Sequence, residues 1–154
     1  MQALYAWEMD HEIPLEKLEN QLQNQIQRSV ALYVTNLAYL VEVCTYSMVD
    51  KARRLSKFIK TEEDQKASTT IAANRIVKYL ENDTQYASFY KKDHVNYNVS
   101  DEIVKNLFNE LASKQKYKDY SALSSPDMAQ DREIINFILK KVFAQDTEME
   151  NHLE

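Results

Sequence analysis

Hydrophobic positions recur at helical spacing along most of this chain. The longest run follows Pro14: Leu15, Leu18, Leu22, Ile26, Val30, Tyr33, Leu37, Leu40, Cys44, Met48, Ala52, Leu55 and Ile59 keep steps of three and four. Unbroken, this run predicts a helix of about 45 residues, roughly 67 Å long at 1.5 Å per residue. The polar stretch from Gln21 to Ser29 marks where it can bend. Between Ala31 and Met48 the chain is apolar on most faces, with Leu32, Val34, Ala38, Tyr39, Val41 and Val43 off the main stripe. A helix that is apolar all round is buried, so neighbours must cover that middle part.

Shorter elements flank it. Residues 1–9 read as a helix with Leu4, Tyr5 and Met9 on one side. Thr61-Glu62-Glu63-Asp64 is a break that resembles a helix N-cap, and a helix is expected from Ala67 to Leu80 with Ile71, Ile76, Val77 and Leu80 inward. Asn82-Asp83 predicts a turn, Tyr86, Phe89 and Tyr90 a short helix, and His94 to Val99 a loop. Ser100 has the character of an N-cap, with Asp101 and Glu102 in the first turn. Its helix is expected to reach Lys116 and to bury Ile103, Val104, Leu107, Phe108 and Leu111. Ser125-Pro126 predicts a last start, with Ser at the cap and Pro at the first helical position. That helix carries Ile134, Ile135, Ile138, Leu139, Val142 and Phe143.

Composition sharpens this reading. The 154 residues contain no glycine and only two prolines. Left-handed turns, β-bulges, tight hairpins and phosphate-cradling loops all lean on glycine, so an all-α fold is expected and Walker and dinucleotide-binding loops are excluded. The expected architecture is a helical bundle or array around one long central helix. It forms one domain over 1–154, with first helices in 1–60, a further helical section in 61–144 and an acidic tail in 145–154. No apolar run approaches the roughly 18 residues of a membrane span. A lone cysteine, Cys44, reads as a small core residue, and with no secretory start the expected compartment is the reducing cytoplasm.

The net charge of −5 is unevenly spread. Residues 51–60 hold five bases and no acid, in an otherwise acidic chain. Lys51, Arg53, Arg54 and Lys57 are therefore the candidates for contact with a phosphate backbone, with Leu55 and Ile59 pointing inward. Cations near a helix C-terminus are also favourable with no ligand at all. The tyrosines Tyr79, Tyr86, Tyr90, Tyr97, Tyr117 and Tyr120 could stack bases, but rings packed at helix rims with hydroxyls in water explain them more simply. Glu8 and His11 form a Glu-x-x-His step without the second copy a di-metal bundle needs. No catalytic constellation, metal site or cofactor is expected, and the chain reads as a binding protein rather than an enzyme.

The segment Met1-Gln2-Ala3-Leu4-Tyr5-Ala6-Trp7-Glu8 resembles the first-helix signature of NusB, the bacterial transcription antitermination factor. Features similar to the longer Bacteroidetes-type members follow in order: Ala52-Arg53-Arg54, Thr61-Glu62-Glu63-Asp64, Asn74, Tyr117-Lys118-Asp119-Tyr120, and Asp131-Arg132-Glu133 before Lys140-Lys141. The resemblance implies an all-helical RNA-binding protein that acts with NusE on a boxA element in transcription elongation complexes. It places Gln2 and Tyr5 at the RNA surface and Leu4 and Trp7 in the core. The family's Arg-rich run before Gln2 and its glycine-containing second half are not among these residues, so the chain is expected to be an N-terminal fragment or a shortened relative. The alternative is a helical protein–protein interaction module without nucleic acid, docking partners or a second copy through residues 31–48.

Overall fold

A computed structural model describes residues 14–59, 61–92 and 99–143, apart from the side chains of residues 15, 63 and 89–92. All regular structure there is helical. Helix α1 (Leu15–Leu55) is followed by α2 (Glu62–Gln65), a 3-10 turn (Thr70–Ala73), α3 (Arg75–Asn82) and α4 (Thr84–Lys92). Then come α5 (Asp101–Ser113), α6 (Gln115–Ser121) and α7 (Met128–Phe137), the last continued by a π turn (Ile138–Val142). The all-α expectation holds.

Helix α1 runs unbroken through the polar stretch 21–29, and its 41 residues span about 61 Å. Its second half enters the main core, while near its start Leu18 is buried at 7% exposure. Residues 19–33 are exposed apart from a half-buried Ala31, whereas Val34, Ala38, Tyr39, Leu40, Val41, Val43 and Cys44 are buried. The apolar middle is covered from Val34 to Ser47, but Leu32, Tyr33 and Met48, within the stretch expected to be covered, are exposed. The stripe is covered only in part: Leu18, Leu40 and Cys44 are buried, whereas Leu22, Ile26, Val30, Tyr33, Met48 and Leu55 face solvent. A three-four repeat averages 3.5 residues and drifts on a 3.6-residue helix. The buried face consequently follows α1's neighbours α5, the 3-10 turn, α3 and α4 rather than the repeat.

Two hydroxyl side chains are buried in that half, Thr35 and Ser47, along with the carboxylate Asp50. Each hydroxyl is satisfied on its own helix, Thr35 donating to the Ala31 carbonyl at 3.0 Å and Ser47 to that of Cys44 at 2.8 Å. This back-bonding is what lets a short hydroxyl lie inside a helix without a tertiary partner.

Beyond α1 the boundaries depart from the sequence reading at three places. The helix expected over 67–80 is split, because Asn74 adopts an extended ψ of 132° and uses its side chain to accept from Ile76 N. The helix from Ser100, capped as expected by Ser100 Oγ, stops at Ser113 instead of Lys116. Lys114, with ψ 137°, turns the chain so that α6 buries Tyr117 and Tyr120. The last helix starts after Asp127, not Ser125. Asp127 and Gln130 exchange side-chain and backbone bonds at 2.8 Å each, a capping box that outcompetes the Ser-Pro start. Pro126 instead offers its carbonyl to the Arg75 guanidinium.

The core lies between the second half of α1, α5, α6, and α7 with its π turn. Phe108 sits between Tyr46 and Tyr117, with ring centroids 5.2 and 6.0 Å away, the second pair edge-on. All five residues expected inward on α5 are buried, as are Ile134, Ile135, Ile138, Val142 and Phe143 in the last helix. Cys44 is fully buried, and burial raises its thiol pKa far above the ordinary value.

Candidate functional site

The basic segment folds into an ordered ion-pair cluster at the end of α1. Asp50 lies one turn before Arg53 and Arg54, so both guanidiniums reach it, Arg53 at 2.6 Å and Arg54 through Nε. The chain then leaves the helix and returns through Thr61, which caps α2 by the reciprocal box with Asp64. That box fixes the Asp64 carboxylate, which takes Lys57 Nζ at 2.8 Å and lies 3.7 Å from Arg54. The Lys57 hydrogen bond, followed by the Thr61 backbone N–H, holds Asp64 down at a pKa of about 2. The Arg53 guanidinium is held charged above its usual value, first by its hydrogen bond to Asp50.

The orientation of these pairs decides what solvent meets. The carboxylates are 5% and 2% exposed, while Arg53, Arg54 and Lys57 are 55%, 27% and 50% exposed. Each acid lies beneath the cation it holds. Lys51, half-buried, adds a further charge on the same helix end. Leu55 and Ile59, expected inward, are exposed, and so is all of Phe58. The helix stops at Leu55, so helical spacing no longer places residues 58 and 59.

Beside the cluster is a concave cavity of about 550 Å³ bordered by α1, the segment after α2, α5 and α6. Its floor is apolar, from Phe108, Ala112 and Tyr117, and its rim carries Arg54, Lys66 and Lys118. The acid on its wall, Asp50, is the one already engaged by Arg53 and Arg54.

A second polar network ties α3 to α6 and α7. Tyr120 donates to Asp131 at 2.6 Å and accepts from Asn74 at 3.1 Å. Asn74 also donates to the Asp131 carbonyl, and Arg75 N donates to the Asp131 carboxylate, both at 3.2 Å. All three side chains are 5% exposed or less, and desolvation together with the Asp131 hydrogen bond raises the Tyr120 pKa. Tyr120 is thus a core residue whose hydroxyl reaches a buried carboxylate, not water. Tyr117 is buried as well, Tyr86 is half-buried, and Tyr79 is exposed.

Some of the motifs singled out in the sequence meet in these two networks, while Lys140 and Lys141 are exposed and belong to neither. Arg53, Arg54 and Asp64 meet in the first; Asn74, Tyr120 and Asp131 meet in the second. Gln2, Tyr5, Glu8, His11, Tyr90 and Tyr97 lie outside the described residues or side chains. Two exposed side chains have no role in the sequence reading, Phe58 and Lys66, whereas Lys118 stands in the Tyr117-Lys118-Asp119-Tyr120 motif named there. Phe58 had a signal, an aromatic inside a basic run and off the helical step. Lys66 and Lys118 are 52 positions apart in the chain, and only the packing of α6 against α1 and α2 brings them to one rim. Among the described residues no helix is long and apolar enough to cross a membrane. No family model, curated protein or solved structure matches the chain.

Proposed function

We propose that this chain is the N-terminal portion of a NusB-type antitermination factor, binding boxA-like single-stranded RNA together with NusE in a transcription elongation complex. The observation that carries the reading is the outward presentation of the basic segment. Buried Asp50 and Asp64 pre-order Arg53, Arg54 and Lys57, and the exposed Phe58 ring follows in the chain. Ordered cations neutralise phosphates, and an uncovered ring stacks unpaired bases irrespective of sequence. The meeting of some of the family-like motifs in two networks also favours the resemblance over coincidence.

The test is fluorescence anisotropy with a boxA-like single-stranded RNA, with and without NusE, from low to physiological salt. Three phosphate contacts from Lys51, Arg53 and Lys57 give a slope of log affinity against log salt near −2, at about −0.7 per contact on a single strand. Lys51→Ala and Arg53→Ala each make that slope shallower by about 0.7. No binding at low salt by the protein in its natural reading frame, with NusE present, refutes the proposal.

One observation favours the second reading, a helical docking module. Leu22, Ile26, Val30 and Tyr33 form an exposed seam on the first half of α1, at 40–66% exposure. Residues 34–47 are largely covered, so such docking uses this earlier seam, which meets the 31–48 stretch only at its start, at Tyr33. Sedimentation of the chain and of a Leu22→Ser, Ile26→Ser variant distinguishes the two. Self-association lost in the variant, with RNA binding absent from both, supports the module.

A further inference from the structure

We infer that the cavity between α1, α5 and α6 takes a single nucleotide, its base against the apolar floor and its phosphate at the Lys66 and Lys118 rim. The inference rests on the RNA-binding reading and adds to it a specific seat for one unstacked base. The volume of about 550 Å³ falls inside the range of roughly 300–1,000 Å³ typical of small-ligand sites. The floor of Phe108, Ala112 and Tyr117 offers a flat unsaturated ring apolar contact.

Charge selects the other end of the ligand. Lys66 is 79% exposed, and its 3.8 Å ion pair with Glu62, itself 91% exposed, is screened by solvent. Lys118 is exposed on α6. Arg54 adds a third cation, and the nearby Asp50 is occupied by both arginines. An anion entering here therefore meets positive charge without facing an unpaired acid.

Ser121 lies on the same wall, and its Oγ is buried with no hydrogen-bond partner. Such a group is rare in a native fold. The oxygen is closed to water as it stands, so a rotation about the Ser121 Cα–Cβ bond is what brings it to a base edge, to which a hydroxyl can donate or accept.

The test combines two probes on the same variants. Adenosine and uridine 5′-monophosphates are titrated into the isotopically labelled chain, followed by its amide resonances, and the boxA-like RNA is measured by anisotropy. Shifts centred on Ala112, Tyr117 and Ser121 are expected. Lys118→Ala and Ser121→Ala each weaken both ligands by about threefold to tenfold, since each removes one hydrogen bond or a partly exposed charge. Lys105→Ala, an exposed cation on α5, leaves the mononucleotides unchanged. Ser121→Ala separates binding from folding, because removing an unpaired buried hydroxyl leaves thermal stability unchanged or higher. RNA binding that neither variant alters overturns the seat and leaves the RNA reading intact. Mononucleotide binding in the cavity without RNA binding keeps the seat for free nucleotides and overturns the RNA reading. Equal shifts from inorganic phosphate alone, or tighter binding of O-phosphotyrosine, overturn the nucleotide assignment.

Discussion

Tyr120→Phe removes one oxygen atom from the second polar network and leaves the ring, 5% exposed, where it packs. Its hydroxyl donates at 2.6 Å to Asp131 and accepts from Asn74 at 3.1 Å. Asn74 retains a second acceptor, the Asp131 carbonyl at 3.2 Å. The Asp131 carboxylate retains Arg75 N on its other oxygen, but the oxygen facing Tyr120 loses its donor. A hydrogen bond to a charged group contributes about 1.5–3 kcal/mol, and a buried acceptor left bare falls in the same range. The expected loss is therefore about 2 kcal/mol, or a Tm lower by about 4–8 °C for a domain of this size. Urea denaturation followed by the helical circular dichroism signal measures it, with an unchanged m-value. Tyr79→Phe, at 69% exposure, is the control and stays within about 0.5 kcal/mol. Combining Tyr120→Phe with Asp131→Asn costs less than the sum of the two by about 1 kcal/mol, because both break the same bond. If Tyr120→Phe costs no more than Tyr79→Phe, the network does not hold α3, α6 and α7 together as described.

Three further outcomes follow from the same structure. Asp50→Ala frees two arginines from a carboxylate that is 5% exposed, and because they are themselves partly in water the cost is about 1–2 kcal/mol by urea denaturation. Asp64 titrates from 3.8 unfolded to about 2 folded, so its contribution is complete above the unfolded value and is lost as pH falls through that window. Lys57→Ala removes the largest cause of the shift, and the acid arm of its stability profile then flattens relative to the parent chain. Cys44, fully buried with a raised thiol pKa, stays unreactive to a thiol reagent in the folded chain and reacts when denaturant unfolds it.

The helical class was legible because periodicity and missing glycine are local signals. The buried middle of α1 and the inward face of α5 were legible for the same reason. What the sequence concealed is where two signals compete. Ser125-Pro126 and Asp127-x-x-Gln130 both describe helix starts, and only the capping box satisfies two backbone donors at once. Leu22, Ile26 and Val30 match the stripe as well as Leu40 and Cys44 do, but burial depends on where neighbouring helices lie, which the spacing does not encode. For the candidate site, the basic run was visible and its charges were counted correctly. Hidden were the acids beneath it: Asp64 is seven positions from Lys57, and only the turn through Thr61 folds it back. The cavity rim was beyond reach of any linear pattern.

The glycine-free backbone, which adopts no positive φ among the described residues, has a consequence outside the native contacts altogether. Average usage would put about 11 glycines in a chain of this length. At a compatible position, replacing glycine with a residue bearing a Cβ stabilises by about 0.4–1 kcal/mol, chiefly by narrowing the unfolded ensemble. Part of this fold's stability thus resides in a stiffer denatured chain with less freedom to surrender. Glycine substitutions scattered over its exposed loops therefore destabilise it even where they touch nothing.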